Sequence, residues 1–199
     1  MIAFVFDLET TGLPLRRKET TYRDLDVYDS ARIVSIAWRM INTETNEELT
    51  NNYYIIKPDA FVIPEDSIKI HGITNERALD EGFSLTHVID KVGVDIAVCN
   101  TLVAHNIYFD VNVLRSELYR MKKYTLINKT YAKELFCTMM QSRKQGIVNK
   151  LSTLAKVYTT LFEDEGELQN CHDAYYDVLY CSKIFKRLIE LKSLNHEVV

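Results

Sequence analysis

Residues 2–6, Ile-Ala-Phe-Val-Phe, form an unbroken apolar run that meets Asp7 and Glu9 at once. A run without polar alternation suits a strand buried on both faces, and such a strand needs helices on both sides of its sheet. This constrains the fold more than any other feature. A chain of 199 residues is long enough to hide roughly 70% of its unfolded surface around such a core. At 47% hydrophobic and 26% charged, with six Gly and three Pro, the composition excludes disordered, collagen-like and low-complexity chains.

The remaining pattern extends the α/β reading. Gly12 and Pro14 end the first strand, and the polar, aperiodic stretch 15–31 predicts an exposed loop insertion. Ile33–Ile41 and Tyr53–Ile56 flank a polar segment and predict an antiparallel hairpin. Beyond Pro64 the chain becomes helical in character. Leu85, Val88, Ile89, Val92 and Ile96 mark one helix face behind a Ser84 cap. Thr101–Ala104 reads as a short interior strand, and Phe109, Val113, Leu114, Leu118 and Met121 as a helix. Leu135–Cys137 suggests one more strand, Leu151, Leu154, Ala155 and Tyr158 a short helix, and Ala174 to Ile189 the last one. With no repeat and no break in composition, the expectation is one domain over 1–199 with a mixed five-stranded sheet flanked by helices.

Charge and cysteine usage narrow the function. A net charge of -4 argues against a protein held on nucleic acid by bulk positive charge. It remains compatible with an acidic site that recruits a divalent cation, and through it a phosphate. Cysteines 99, 137, 171 and 181 contain no CxxC pair, so reduced core thiols are expected rather than structural zinc. No run of about 18 apolar residues exists, and MIAFVFDLE lacks a cationic leader. An intracellular chain, in cytoplasm or nucleus, is the expectation.

Three acidic segments stand out. Asp7 and Glu9 leave the same face of the first strand, because side chains alternate. Two carboxylates there repel and lose hydration unless a cation sits between them, although a lone Asp-x-Glu is also an ordinary polar strand end. Asp110 opens a helix after Ala104-His105-Asn106, where, taken alone, a plain helix cap is the better explanation. Asp173 and Asp177 lie at i, i+4 in the final helix, with Asp173 expected to be a plain first-turn acid. His172 falls roughly 140° away from Asp177 in a regular helix, so it reaches that face only from looser backbone at the helix edge.

Together these segments resemble the DEDDh, DnaQ-like branch of the DEDD exonucleases, which have a ribonuclease H-like fold. The first motif stands as Phe6-Asp7-Leu8-Glu9-Thr10-Thr11-Gly12, the second as Ala104-His105-Asn106 through Phe109-Asp110, and the third as His172 with Asp177. Ile70-His71-Gly72-Ile73-Thr74, Arg32-Ile33-Val34 and Leu151 to Ala155 are similar to further family segments. The likeness spans 2 to about 190. Cys137 replaces a frequent Asp, and the 15–31 loop is longer than in compact members.

The resemblance implies Asp7, Glu9, Asp110 and Asp177 as ligands of two Mg2+ or Mn2+ ions around 4 Å apart. An oxygen-only set favours such hard cations. It implies His172 as general base. It implies substrate contacts at Leu8, Thr10, His71, Asn106 and Phe109, with a core place competing for Phe109 and a structural turn competing for His71. Basic strips at Arg115–Lys133, Arg143–Lys156 and Arg16–Lys18, and the aromatics Tyr108, Tyr175 and Tyr176, are candidates for strand contact, with a solvated charged face competing for each strip. The implied activity is a 3′→5′ exonuclease on single-stranded ends, releasing nucleoside 5′-monophosphates. DNA is favoured by the intact Glu-Thr-Thr-Gly and His-Gly-Ile segments. An RNA-directed member and a catalytically silent binding module are the rivals, and a polymerase or a second copy is the partner class.

Overall fold

The computed structural model describes residues 1–163 and 172–196. Its sheet has five strands: β1 (Ile2–Thr10), β2 (Ile33–Asn42), β3 (Glu48–Ile55), β4 (Thr101–Ala104) and β5 (Glu134–Cys137). They run in the order β3-β2-β1-β4-β5. β1 pairs antiparallel with β2 and parallel with β4, so it is the central strand of a mixed sheet. The ribonuclease H-like expectation holds.

The apolar run of β1 is divided between two layers. Phe4, Phe6 and Leu8 pack on one face with α4 (Leu85–Val98) and α5 (Ile107–Arg120). Ala3 and Val5 pack on the other with Ala174, Val178, Cys181 and Phe185 of α9 (Ala174–His196). Trp38 fastens the first layer. It is fully buried, stacks on Phe4 and Tyr54, and donates its Nε1–H to Asp95 Oδ2 at 2.7 Å.

Most predicted elements appear where expected. Ser84 accepts from the His87 N–H at the start of α4, which satisfies one of the four free donors of a helix N-terminus. Ser84→Ala should therefore cost about 1 kcal/mol, measured by urea unfolding. An unchanged midpoint would remove the cap from the account of this helix.

The loop insertion needs correction. Within 15–31, Tyr22, Val27, Tyr28 and Ala31 are buried in the α4–α5 layer, and Leu25–Tyr28 forms the short α1. Their irregular spacing carries no period, yet each side chain finds apolar cover. β3 begins at Glu48, ahead of the predicted Tyr53. Leu151 lies outside α8 (Leu154–Phe162), half-exposed ahead of the Thr153 cap. Four short helices escaped individual prediction: α2 (Glu65–His71), α3 (Asn75–Glu81), α6 (Tyr124–Tyr131) and α7 (Thr138–Lys144). Cys99, Cys137 and Cys181 are free and buried as expected, and Cys171 lies outside the described residues. No helix among the described residues is long and apolar enough to cross a membrane.

Candidate active site

β1 carries the odd-numbered series Ala3, Val5, Asp7, Glu9 onto the α9 side of the sheet. The last two members stand where the apolar cover ends. Helix α9 brings Asp177 over them in its first turn. Oxygen atoms of Asp7, Glu9 and Asp177 all lie within 4.8 Å of one another. Asp110, 4% exposed in the first turn of α5, is outside that trio. It nevertheless raises the Asp7 pKa more than any other charge does.

The electrostatics follow from burial and crowding. Burial, then the charges of Asp110, Asp177, Glu9 and Asp173, push Asp7 well above the usual carboxylate range. Burial and the neighbouring acids push Glu9 up to about 8. Burial lifts Asp110 to about 7, against the pull of the backbone groups of Asp110 and Leu8. Burial lifts Asp177 to about 6, while the His172 backbone and imidazole pull it back. Such a set strains against itself without positive charge, and its all-oxygen chemistry fits a divalent cation.

The linkage to stability has a definite sign. Each acid has a folded pKa above its unfolded value near 4, so folding favours the protonated form. That stabilisation is fully present below about pH 4 and is lost as pH rises through about 6, 7 and 8. The melting temperature of cation-free protein should fall between pH 5 and pH 8.5 by roughly 5–10 °C, equivalent to about 2–3 kcal/mol. Added Mg2+ should flatten the profile. A flat profile in chelator would mean the four acids are not crowded in solution.

His172 stands just ahead of α9 with φ 71, in left-handed backbone. Its N–H donates to Asp177 Oδ2 at 3.2 Å. This is the loosened helix edge that lets the residue approach Asp177 despite the 140° separation of a regular helix. Asp173, expected as a plain first-turn acid, is the helix cap. Its Oδ1 accepts from the Tyr175 N–H at 2.9 Å and its carbonyl from the Asp177 N–H at 2.9 Å.

The other predicted residues divide. Leu8 is buried beside Asp110, and Thr10 donates to the Gly12 carbonyl at 2.8 Å. Gly12, at φ 150, would put a Cβ 3.1 Å from the Ser30 carbonyl, so that turn excludes larger residues. His71 is 8% exposed and its Nδ1 accepts from the Ile73 N–H, which supports the structural-turn alternative. Its Nε2 is buried with no partner among the described residues. Ser67 Oγ ties α2 to the Thr11 carbonyl at 2.6 Å, beside the end of β1. Asn106 is exposed ahead of α5 and makes no side-chain cap, while Phe109 packs against the core.

Part of the basic strips is engaged elsewhere. Arg17 pairs with Asp26, Arg120 with Asp29, and Lys123 with Asp90. Lys133 binds the Cys99 carbonyl, and Arg115 is buried. Tyr108 is exposed, whereas Tyr175 and Tyr176 are half-buried.

Two supporting groups were not singled out from sequence. His105 joins Thr138 Oγ1 and the Ser152 carbonyl at 2.9 Å each. A carbonyl only accepts, so Nε2 carries the proton, and burial lowers the imidazole pKa. Arg39 sits over the Tyr175 ring, against which Tyr53 packs edge-on at 6.4 Å. These contacts seat the first turn of α9 on the sheet. The signal for His105 was its place in the second motif. Arg39 carried none, because it reads as an ordinary strand residue.

A buried oxygen-only cluster at the end of the central strand of a ribonuclease H-like sheet defines the class. The RNase_T exonuclease family profile matches residues 4–185. The chain belongs to that exonuclease family, and its four carboxylates and one histidine, in the order Asp7, Glu9, Asp110, His172 and Asp177, are the set of the DnaQ-like, DEDDh members. It is 28% identical to DNA polymerase III subunit epsilon of Pasteurella multocida (strain Pm70) over 183 residues, 91% of this chain. It spans 65% of that curated relative's length. Its fold is similar to E. coli exonuclease I in complex with a dT13 oligonucleotide, with TM-score 0.74 and 18% identity, covering 99% of this chain and 43% of that one. It is also similar to the nuclease domain of 3′hExo, a DEDDh family member bound to rAMP, with TM-score 0.64 and 16% identity over 95% and 92%.

Proposed function

We propose that the chain, as one domain over 1–199, is a 3′→5′ exonuclease that shortens single-stranded ends and releases nucleoside 5′-monophosphates. The observation that carries this reading is the Asp7–Glu9–Asp177 oxygen cluster, with Asp110 and His172 beside it. Asp7, Glu9, Asp110 and Asp177 hold two Mg2+ or Mn2+ ions. Such ions, when bound, supply Lewis-acid charge to a phosphate and lower the pKa of a water. His172 accepts the proton of the attacking water, a general-base task that an imidazole beside the acids can perform. The backbone of Leu8 to Thr10 and the exposed Asn106 receive the terminal nucleotide, the Phe109 ring flanks it, and His71 shapes the turn behind them.

DNA is the favoured polymer. The epsilon relative supports that choice and raises a polymerase as the partner class, with a second copy of the chain as the other. The rAMP-bound neighbour keeps RNA as the second reading. The deciding experiment uses one 5′-labelled sequence as single-stranded DNA and as RNA, with Mg2+, Mn2+ or chelator, on a denaturing gel. A cation-dependent ladder shortening from the 3′ end is expected, faster on DNA. Mononucleotide release from the 5′ end, or label intact in every lane, would overturn the reading.

A further inference from the structure

Arg115 on α5 is 5% exposed, and a buried arginine ordinarily faces a carboxylate. This one does not. Among the described residues its one hydrogen bond runs from Nε to Thr130 Oγ1 at 2.9 Å, and its guanidinium stacks 3.7 Å from the Tyr131 ring centroid. The charged or titratable neighbours that act on it are two phenols, Tyr131 and Tyr22. Asp24, Asp29 and Asp90 are held by Thr21, Arg120 and Lys123.

The Tyr22 ring lies 6.1 Å from the Tyr131 ring on which Arg115 stacks, and Tyr22 lines a pocket of about 300 Å3 with Arg23, Tyr119, Tyr124, Ile127 and Asn128. No acidic side chain lines it. Tyr22 is 7% exposed and its hydroxyl oxygen accepts from Arg23 Nε at 3.2 Å. The hydroxyl proton therefore remains available to donate into the pocket. A buried cation lacking a counter-ion, an unspent phenol donor and an arginine at the rim together form a site for an oxyanion.

We propose that the Tyr22–Tyr119–Tyr124 pocket binds a phosphate group. Tyr22 Oη and Asn128 donate hydrogen bonds, Arg23 closes over the anion, and Arg115 supplies its charge from behind the Tyr22 ring. Its lining comes from the 15–31 segment, the end of α5 and α6, and includes none of the four acids. The phosphate comes either from free phosphate or from the backbone of a bound strand upstream of its 3′ end.

The test is made in chelator, where the acidic cluster repels anions and no hydrolysis occurs. Its failure is therefore distinct from failure of the exonuclease reading. Inorganic phosphate is titrated at constant ionic strength while the Nε–Hε signals of Arg23 and Arg115 are followed by NMR. Saturable shifts are expected, with affinity at least about tenfold weaker in Tyr22→Phe and Arg23→Ala. Arg115→Met tests the buried charge directly, and the other two variants keep the test intact if it fails to fold. In a second arm a single-stranded dT20 is bound under the same conditions. If strand phosphates occupy the pocket, Arg23→Ala reduces the salt slope of dT20 binding by about one. If free phosphate does, dT20 affinity is unchanged while phosphate binding falls. Non-saturable shifts, or equal affinity of parent and variants for both ligands, would overturn the proposal.

Discussion

Asp7→Ala is expected to lower the rate of 3′-end shortening by about three orders of magnitude or more, while the cation-free protein keeps its fold and melts no lower than the parent. Asp7 lies in the oxygen trio with Glu9 and Asp177 and also couples to Asp110. Removing it takes away the group shared by the whole cluster. The charge stabilisation that bound cations give a phosphoryl transfer is worth several kcal/mol, and each ~1.4 kcal/mol is a factor of ten in rate. The stability half of the prediction runs the other way. The Asp7 carboxylate is buried among four other acids, and its removal relieves repulsion in the absence of cation. The readouts are the labelled-strand assay and thermal melts in chelator. Cleavage at the parent rate would refute the assignment of this cluster, and a variant that melts far lower would show that Asp7 supports the fold.

His172→Asn should lower kcat by about two to four orders of magnitude with a smaller change in KM. Asn is chosen because His172 has φ 71, and Asn tolerates left-handed backbone better than Ala. The backbone N–H to Asp177 is retained, so a loss reports on the imidazole. A variant with parental kcat would move proton acceptance to another group.

Much of the fold was legible because its main elements are periodic. Leu85 to Ile96 and the unbroken run in β1 each point to one structure, and both formed as read. The site was legible because its acids sit at element ends, where residue type and spacing are unusual. Tyr22, Val27 and Tyr28 were not legible: their burial depends on long-range contacts with α5 that leave no period in the local sequence. His71 shows the same limit at one residue. The His-Gly-Ile segment marked it, but only the folded chain shows its Nδ1 committed to Ile73 and its Nε2 free.

The division of β1 between two layers also ties the chemistry to a count of residues. An exchange of one apolar side chain for another at Phe4 or Val5 disturbs a single layer, and repacking there can absorb it. Lengthening the strand by one residue ahead of Asp7 is a different event. It turns Phe6 toward α9 and sends Asp7 into the apolar layer under α4 and α5, where Phe4, Trp38 and Leu114 offer a carboxylate no partner. Relatives of this chain can therefore differ freely in the identity of those side chains but not in the spacing that precedes the acids.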